Sequence, residues 1–257
     1  MVLTVDVGNT NTVLAAYESS DRPIFTSRIQ TEPDKTADQY AITFNSILHL
    51  NHRSAEGFEG AIISSVVPPL QTTLKTAIAK LLGCRVLTIG PGLRTGLNIK
   101  IDNPAILGAD LVCGAVAALK KYKPPIIIFD LGTATKICAI DKFSSFVGCS
   151  ILPGIGISLH ALSTRTAQLP HIDFDTAQNV IGTNTVDSMR SGIIFGTASM
   201  IDGMAQKYRS ILGDDATVVA TGGFSQVITP YCETSILLDP TLVPDGLYCI
   251  YRRNTDK

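Results

Sequence analysis

An internal repeat constrains this chain more than any other feature. Val5-Asp6-Val7-Gly8-Asn9-Thr10-Asn11-Thr12 returns about half a chain later as Phe129-Asp130-Leu131-Gly132-Thr133-Ala134-Thr135-Lys136. Each copy closes one apolar, strand-like run and opens another. A turn of Asp, Gly and hydroxyl residues between two such runs reads as a hairpin. Its recurrence implies two similarly built halves, expected at residues 1–115 and 116–257.

Around the repeats, strand and helix patterns alternate. Val2–Asp6, Thr12–Glu18, Ile24–Thr31, Ala61–Ser64 and Arg85–Ile89 read as strands of the first half. Ile126–Asp130, Lys136–Asp141, Ser145–Leu152, Thr217–Thr221 and Ser235–Leu238 read as strands of the second. Helical spacing covers Thr36–Leu50 with Thr36 as cap, Leu70–Leu82, Pro104–Tyr122, Gly156–Gln168 and Thr185–Leu212, and a short helix is expected after Gly222-Gly223. Such a mixture implies an α/β fold with helices packed on sheets.

Composition narrows the function classes. Of 257 residues, 45% are apolar and 17% charged, which suits a compact core rather than solvated tails. No run approaches the roughly 18–20 apolar residues of a membrane span, so no membrane role is expected. The net charge of −1 comes without a basic cluster, so no nucleic-acid partner is expected. The opening residues read as a first strand rather than a secretory signal. The six cysteines show no metal-ligand or disulfide spacing, and a cytoplasmic location is expected.

The first turn admits two readings. Asp, Gly and Asn dominate ordinary hairpin turns. They also suit phosphate chemistry: a carboxylate ending a buried strand can hold Mg²⁺, and Gly8 lets the backbone approach a phosphate. Asn9, Thr10 and Asn11 would add amide and hydroxyl donors. Repetition favours the second reading. A third turn, Thr221-Gly222-Gly223-Phe224-Ser225, follows an apolar run and reads either as a nucleotide-compatible strand–helix junction or as a plain helix start. Neither a P-loop nor a Rossmann glycine pattern is present, which turns attention from those folds.

Two Asp-x-Gly turns and a late Gly-Gly turn resemble the phosphate-1, phosphate-2 and adenosine elements of the acetate kinase, sugar kinase, Hsp70 and actin superfamily. More narrowly, the chain resembles type III pantothenate kinase. The matching stretches are Asp6–Thr12, Ser64–Pro69, Gly108–Asp110, Asp130–Ala134, Ile151–Gly154, Arg165–Pro170, Ile181–Thr185 and Thr221–Gly223, in family order across nearly the whole chain. The resemblance implies two actin-like (ribonuclease H-like) halves with a cleft between them, and ATP-dependent phosphorylation of pantothenate to 4′-phosphopantothenate, the first step to coenzyme A. It places Asp110 as general base, with Gly108 and Asp110 in the family's Gly-x-Asp-Arg motif beside the substrate. Asp6 with Gly8, Asn9, Thr10, Asn11 and Thr12 would hold Mg²⁺-ATP, and Gly132 and Thr133 would contact the phosphates. Gly222 and Gly223 would lie near the adenosine. Asp130 would help hold a monovalent cation, K⁺ or NH₄⁺. The family is dimeric, so a homodimer is expected, and Thr185 matches a threonine that closes the partner subunit's pantothenate pocket. From the residues alone, Thr185 could equally cap a helix starting at Val186, and Asp110 could be a carboxylate stabilised at a helix N-terminus.

Three positions depart from the family pattern. Leu111 stands in place of the arginine that pairs with the pantothenate carboxylate, and Lys100 and Arg165 are candidate substitutes. Lys136 replaces a threonine at the end of the second turn, as an exposed strand lysine or as a charge near the phosphates that replaces part of the monovalent cation's role. Cys149 replaces a glycine beside Gly148. Two other readings follow: a kinase for a related small alcohol, and a catalytically degenerate nucleotide-binding regulator.

Overall fold

The computed structural model of the chain describes residues 1–173 and 179–256. β1 (Val2–Val7), β2 (Asn11–Tyr17) and β3 (Phe25–Gln30) form a meander, followed by α1 (Ala37–Leu50), β4 (Gly60–Ser65), α2 (Pro68–Leu82) and β5 (Arg85–Thr88). The short β6 (Asn98–Ile99) and α3 (Ala109–Lys121) precede a second meander, β7 (Ile126–Leu131), β8 (Ala134–Ile140) and β9 (Ser145–Pro153). The chain continues through α4 (Ile155–Arg165), α5 (Thr185–Leu212), β10 (Thr217–Thr221), α6 (Ser225–Ile228), β11 (Leu237–Leu238) and α7 (Leu242–Thr255).

The repeat seen in the turns extends to the sheets. One sheet runs β3-β2-β1-β4-β5 and the other β9-β8-β7-β10-β11, with β6 added beside β9. In both, the meander strands pair antiparallel and the inner strand pairs parallel with the next. Two compact units result: residues 1–97, 102–120 and 241–257, and residues 98–101 with 121–240. A single division at 115/116 therefore misses the return of the C-terminal segment to the first unit.

Alternation along the strands makes each core. In the first unit Leu3, Val5, Val7, Leu14 and Ala16 face Tyr40, Phe44 and Leu48 of α1 and Leu70, Leu74 and Ile78 of α2. Thr36 and Gln39 form the capping box that starts α1. In the second unit Ile127, Phe129 and Leu131 pack with Ile194, Ala198, Ile201 and Ala205 of α5. Full burial of one such aliphatic or aromatic side chain stabilises by about 1.5–3 kcal/mol.

Two differences from the sequence expectation matter for function. The helix expected over 104–122 is broken: a 3-10 turn spans Pro104–Ile106, Leu107 is extended, and the α-helix restarts with Val112 N–H donating to the Gly108 carbonyl at 3.1 Å. That break puts Asp110 in the first turn of α3. The last helix, α7, has a weak local helical signal, because Pro244 and Gly246 fall within it. Tertiary packing makes it. Tyr248 stacks on Tyr17 with centroids 4.5 Å apart, and the Tyr17 hydroxyl donates to buried Asp245, which also accepts from Thr241 Oγ1 at 2.7 Å.

Gly246 sits against α3: a Cβ there would lie 1.9 Å from the Cys113 carbonyl oxygen. At Gly114 an added Cβ would meet Leu242 and Val243 side chains at an ordinary 3.9 Å. Gly246→Ala is expected to destabilise by about 2–3 kcal/mol through backbone displacement. Gly114→Ala should be neutral or stabilise by up to about 1 kcal/mol through helix propensity. Urea unfolding of the two variants checks the opposite signs.

Candidate active site

In the first unit, Asp6 ends β1 opposite Val13 of β2 and level with Ser64 of β4. Residues in register on neighbouring strands share a face, and Leu3, Val5 and Val7 occupy the face toward α1 and α2. Asp6 and Ser64 therefore occupy the opposite one. The Cys113 thiol of α3 reports what gathers there. It is fully buried and pushed well above its ordinary value, first by burial and then by the carboxylates of Asp6 and Asp110. The Ser64 hydroxyl partly offsets this, although its buried Oγ makes no hydrogen bond of good geometry. Asp6 and Asp110 thus lie around one buried thiol.

Asp110 is anchored at the start of α3. Its Oδ1 accepts from the Leu111 amide at 2.9 Å, in the helix turn where backbone N–H groups favour an anion. Gly108 leaves room for that carboxylate, since a Cβ there would stand 2.6 Å from Asp110 Oδ1. Leu111 is half-buried next to it.

The turn after Asp6 is braced from β3. Gly8 N–H donates to the Asn11 carbonyl at 2.9 Å, and Thr31 N–H to the Thr10 carbonyl at 2.9 Å. Thr31 Oγ1 donates to the Gly8 carbonyl at 2.8 Å and pairs with Thr12 Oγ1 at 2.9 Å. Asn9, Thr10 and Asn11 are exposed, but Thr12 is completely buried. The Thr12 side chain, on the core face, braces the turn.

In the second unit two segments close on the Asp130 turn. Gly154, at the start of α4, packs on the second turn: a Cβ there would lie 2.1 Å from the Thr133 carbonyl oxygen and 2.5 Å from that of Gly132. Gly222, at φ +91°, packs on the end of β7, where a Cβ would meet Asp130 Oδ1 at 2.7 Å. Phe224 N–H then donates to the Leu131 carbonyl at 3.2 Å. Gly132 is half-buried, while Thr133 and Gly223 are exposed. The helix after the Gly-Gly turn is only the four-residue α6, so this turn contributes shape rather than a helix dipole.

The second turn is one residue shorter than the first. Val7 pairs with Thr12, whereas Leu131 pairs with Thr135. Buried Thr135 is thus the counterpart of Thr12, and Lys136 stands directly opposite Asp130, where the first unit has Val13. Lys136 is not an exposed strand lysine. Its Nζ lies 2.7 Å from Asp130 Oδ2, and both side chains are less than one-fifth exposed.

Asn184, not Thr185, caps α5: its side chain accepts from the Asp187 amide at 3.0 Å. Thr185 begins the helix, exposed, on a groove of about 710 Å³ that Leu162, Leu169, Gly182 and Met189 also line. Lys100 reaches Asp141 at 3.7 Å and Arg165 ends α4 in solvent. Cys149 lies exposed on β9. Among the described residues no group of three or more His, Cys, Asp or Glu could hold a metal by itself, and no helix is long and apolar enough to cross a membrane.

The profile of the family described as type III pantothenate kinase matches residues 2–207. The chain belongs to this family. It is 41% identical over 254 residues to the type III pantothenate kinase of Halalkalibacterium halodurans, covering 99% of this chain and 100% of that one. It is 42% identical over 254 residues to the enzyme of the same name from an Exiguobacterium species, covering 99% of each. Among solved structures it is similar to the activator of 2-hydroxyisocaproyl-CoA dehydratase from Clostridium difficile with bound ADPNP, at a TM-score of 0.57 and 11% identity, covering 98% and 95% of the two chains. Component A of (R)-2-hydroxyglutaryl-CoA dehydratase from Acidaminococcus fermentans gives the same TM-score at 15% identity, covering 97% and 96%. Those two likenesses are of fold alone.

The brace on the first turn is directly testable. Thr31→Val removes the donor to Gly8 and strands the buried Thr12 hydroxyl, and should destabilise by about 1–3 kcal/mol. Thr12→Val combined with Thr31→Val should recover part of that loss, because no buried hydroxyl is left without a partner. Equilibrium unfolding of the single and double variants reads both effects.

Proposed function

We propose that this chain phosphorylates pantothenate with ATP, with Asp110 accepting the proton of the attacking hydroxyl. The observation that carries this reading is the placement of Asp110: held by the Leu111 amide in the first turn of α3, it shares with Asp6 the surroundings of one buried thiol. Phosphoryl transfer asks mainly for positioning and charge neutralisation, with one group placed to take the hydroxyl proton. Gly108 sets the position of that carboxylate against the substrate.

The exposed turn of Asn9, Thr10 and Asn11 would offer donors to the nucleotide phosphates, as would Gly132 and Thr133. Gly222 and Gly223 would form the adenosine side. Magnesium suits one or two carboxylates completed by phosphate oxygens, and the Asp6 carboxylate with the buried, unsatisfied Ser64 hydroxyl at the same level fits that demand. Asp6 would hold the ion, which neutralises phosphate charge when bound. The reading further includes a homodimer in which Thr185 and its groove meet the partner's substrate pocket, and a cytoplasmic location.

The monovalent cation assigned by resemblance to Asp130 does not fit in the same way. That carboxylate already carries the Lys136 ammonium on one oxygen and the Gly222 turn against the other.

Leu111 favours a second reading, a related alcohol without the carboxylate, because a leucine cannot supply a charged fork to an anion. A coupled ATP-turnover assay with pantothenate and with its uncharged alcohol analogue separates the two. Pantothenate-dependent turnover that falls by about 10²–10⁴-fold in Asp110→Asn is the expected result. Equal kcat/KM for the two substrates would assign the second reading. ATP binding with no turnover of either would leave a nucleotide-binding regulator.

A further inference from the structure

We infer that the Lys136 ammonium is a built-in replacement for a monovalent cation at the second phosphate turn, so that this chain works without added potassium or ammonium. The inference rests on the kinase reading above. Its geometry belongs wholly to the second unit.

Asp130 and Lys136 are directly opposed in the β7–β8 hairpin, and directly opposed residues on antiparallel strands carry their side chains on one face. The hairpin therefore presents the ammonium to the carboxylate without needing any distant element to place it. The 2.7 Å contact falls on Oδ2. On the Oδ1 side stands the Gly222 turn, where even an added methyl carbon would come within 2.7 Å of that oxygen. Both oxygens are thus engaged or hemmed in. A free cation would have to share the carboxylate with a fixed positive charge a few ångströms away, and like charges at that range in a partly buried site repel.

The two repeats differ at this one position in an informative way. Asp6 faces Val13 across its hairpin, so the strand opposite offers its carboxylate no charge. Asp130 faces Lys136. Lysine presents a compact ammonium with three donors and no acceptor. It is chemically a tethered NH₄⁺. A charge held in place beforehand also needs no ion to bind before the phosphates do.

The test measures turnover and nucleotide binding in buffers of constant ionic strength containing choline, sodium or potassium chloride. The wild type should turn over pantothenate and ATP at nearly the same rate in all three. Lys136→Thr and Lys136→Met should lose about 10²-fold in choline, the scale of removing one positioned electrostatic group. Potassium or ammonium should restore Lys136→Thr. Binding of a fluorescent ATP analogue should follow the same pattern, flat for wild type and potassium-dependent for Lys136→Thr. A wild-type enzyme that needs potassium overturns the inference, even if both variants misfold. So do variants whose turnover and nucleotide binding stay unchanged in choline. If the wild type turns over neither alcohol, the kinase reading fails by itself, and the cation dependence of analogue binding still decides the role of Lys136.

Discussion

A carboxylate at the end of a strand inside an α/β unit must be compensated by its surroundings, since an unpaired buried charge is costly. The chain meets that requirement twice and solves it differently each time. In the first unit, Asp6 stands level with a hydroxyl, near a buried thiol and at the end of a turn braced from β3. In the second, Asp130 is neutralised by a lysine supplied from the opposite strand of its own hairpin. The first carboxylate thus faces an apolar residue across its hairpin, and the second faces an ammonium.

Close backbone approach is the second theme. Gly154 and Gly222 let two further segments lie on the Asp130 turn, Gly108 clears space for Asp110, and Gly246 lets α7 rest on the Cys113 carbonyl. At each of these positions a Cβ would fall under 3 Å from backbone or from a carboxylate oxygen. The glycines of the motifs are thus explained by packing as well as by phosphate access. At Gly154 the three atoms nearest to such a Cβ all belong to the neighbouring turn.

Family membership and local detail answer different questions. Identity of about 40% along nearly the whole chain establishes the family. It does not say what happens where this chain departs from the pattern. Cys149 is exposed on β9, Lys136 is engaged by Asp130, and Leu111 is half-buried beside Asp110.

Much was legible from sequence because it is local. The helix Thr185–Leu212 and the strand Thr217–Thr221 match their expected bounds, and Thr36 caps α1 as read. The two Asp-x-Gly turns announced a repeat that the strand order repeats in full. Tertiary structure decided the rest, since it depends on register and on partners far along the chain. The shorter second turn puts Lys136, rather than Ile137, opposite Asp130, a difference of one residue that moves a side chain to the other face. Thr12 turned inward for the same reason. α7 exists because it complements both Tyr17, 228 residues before Asp245, and the surface of α3, and no local propensity records that.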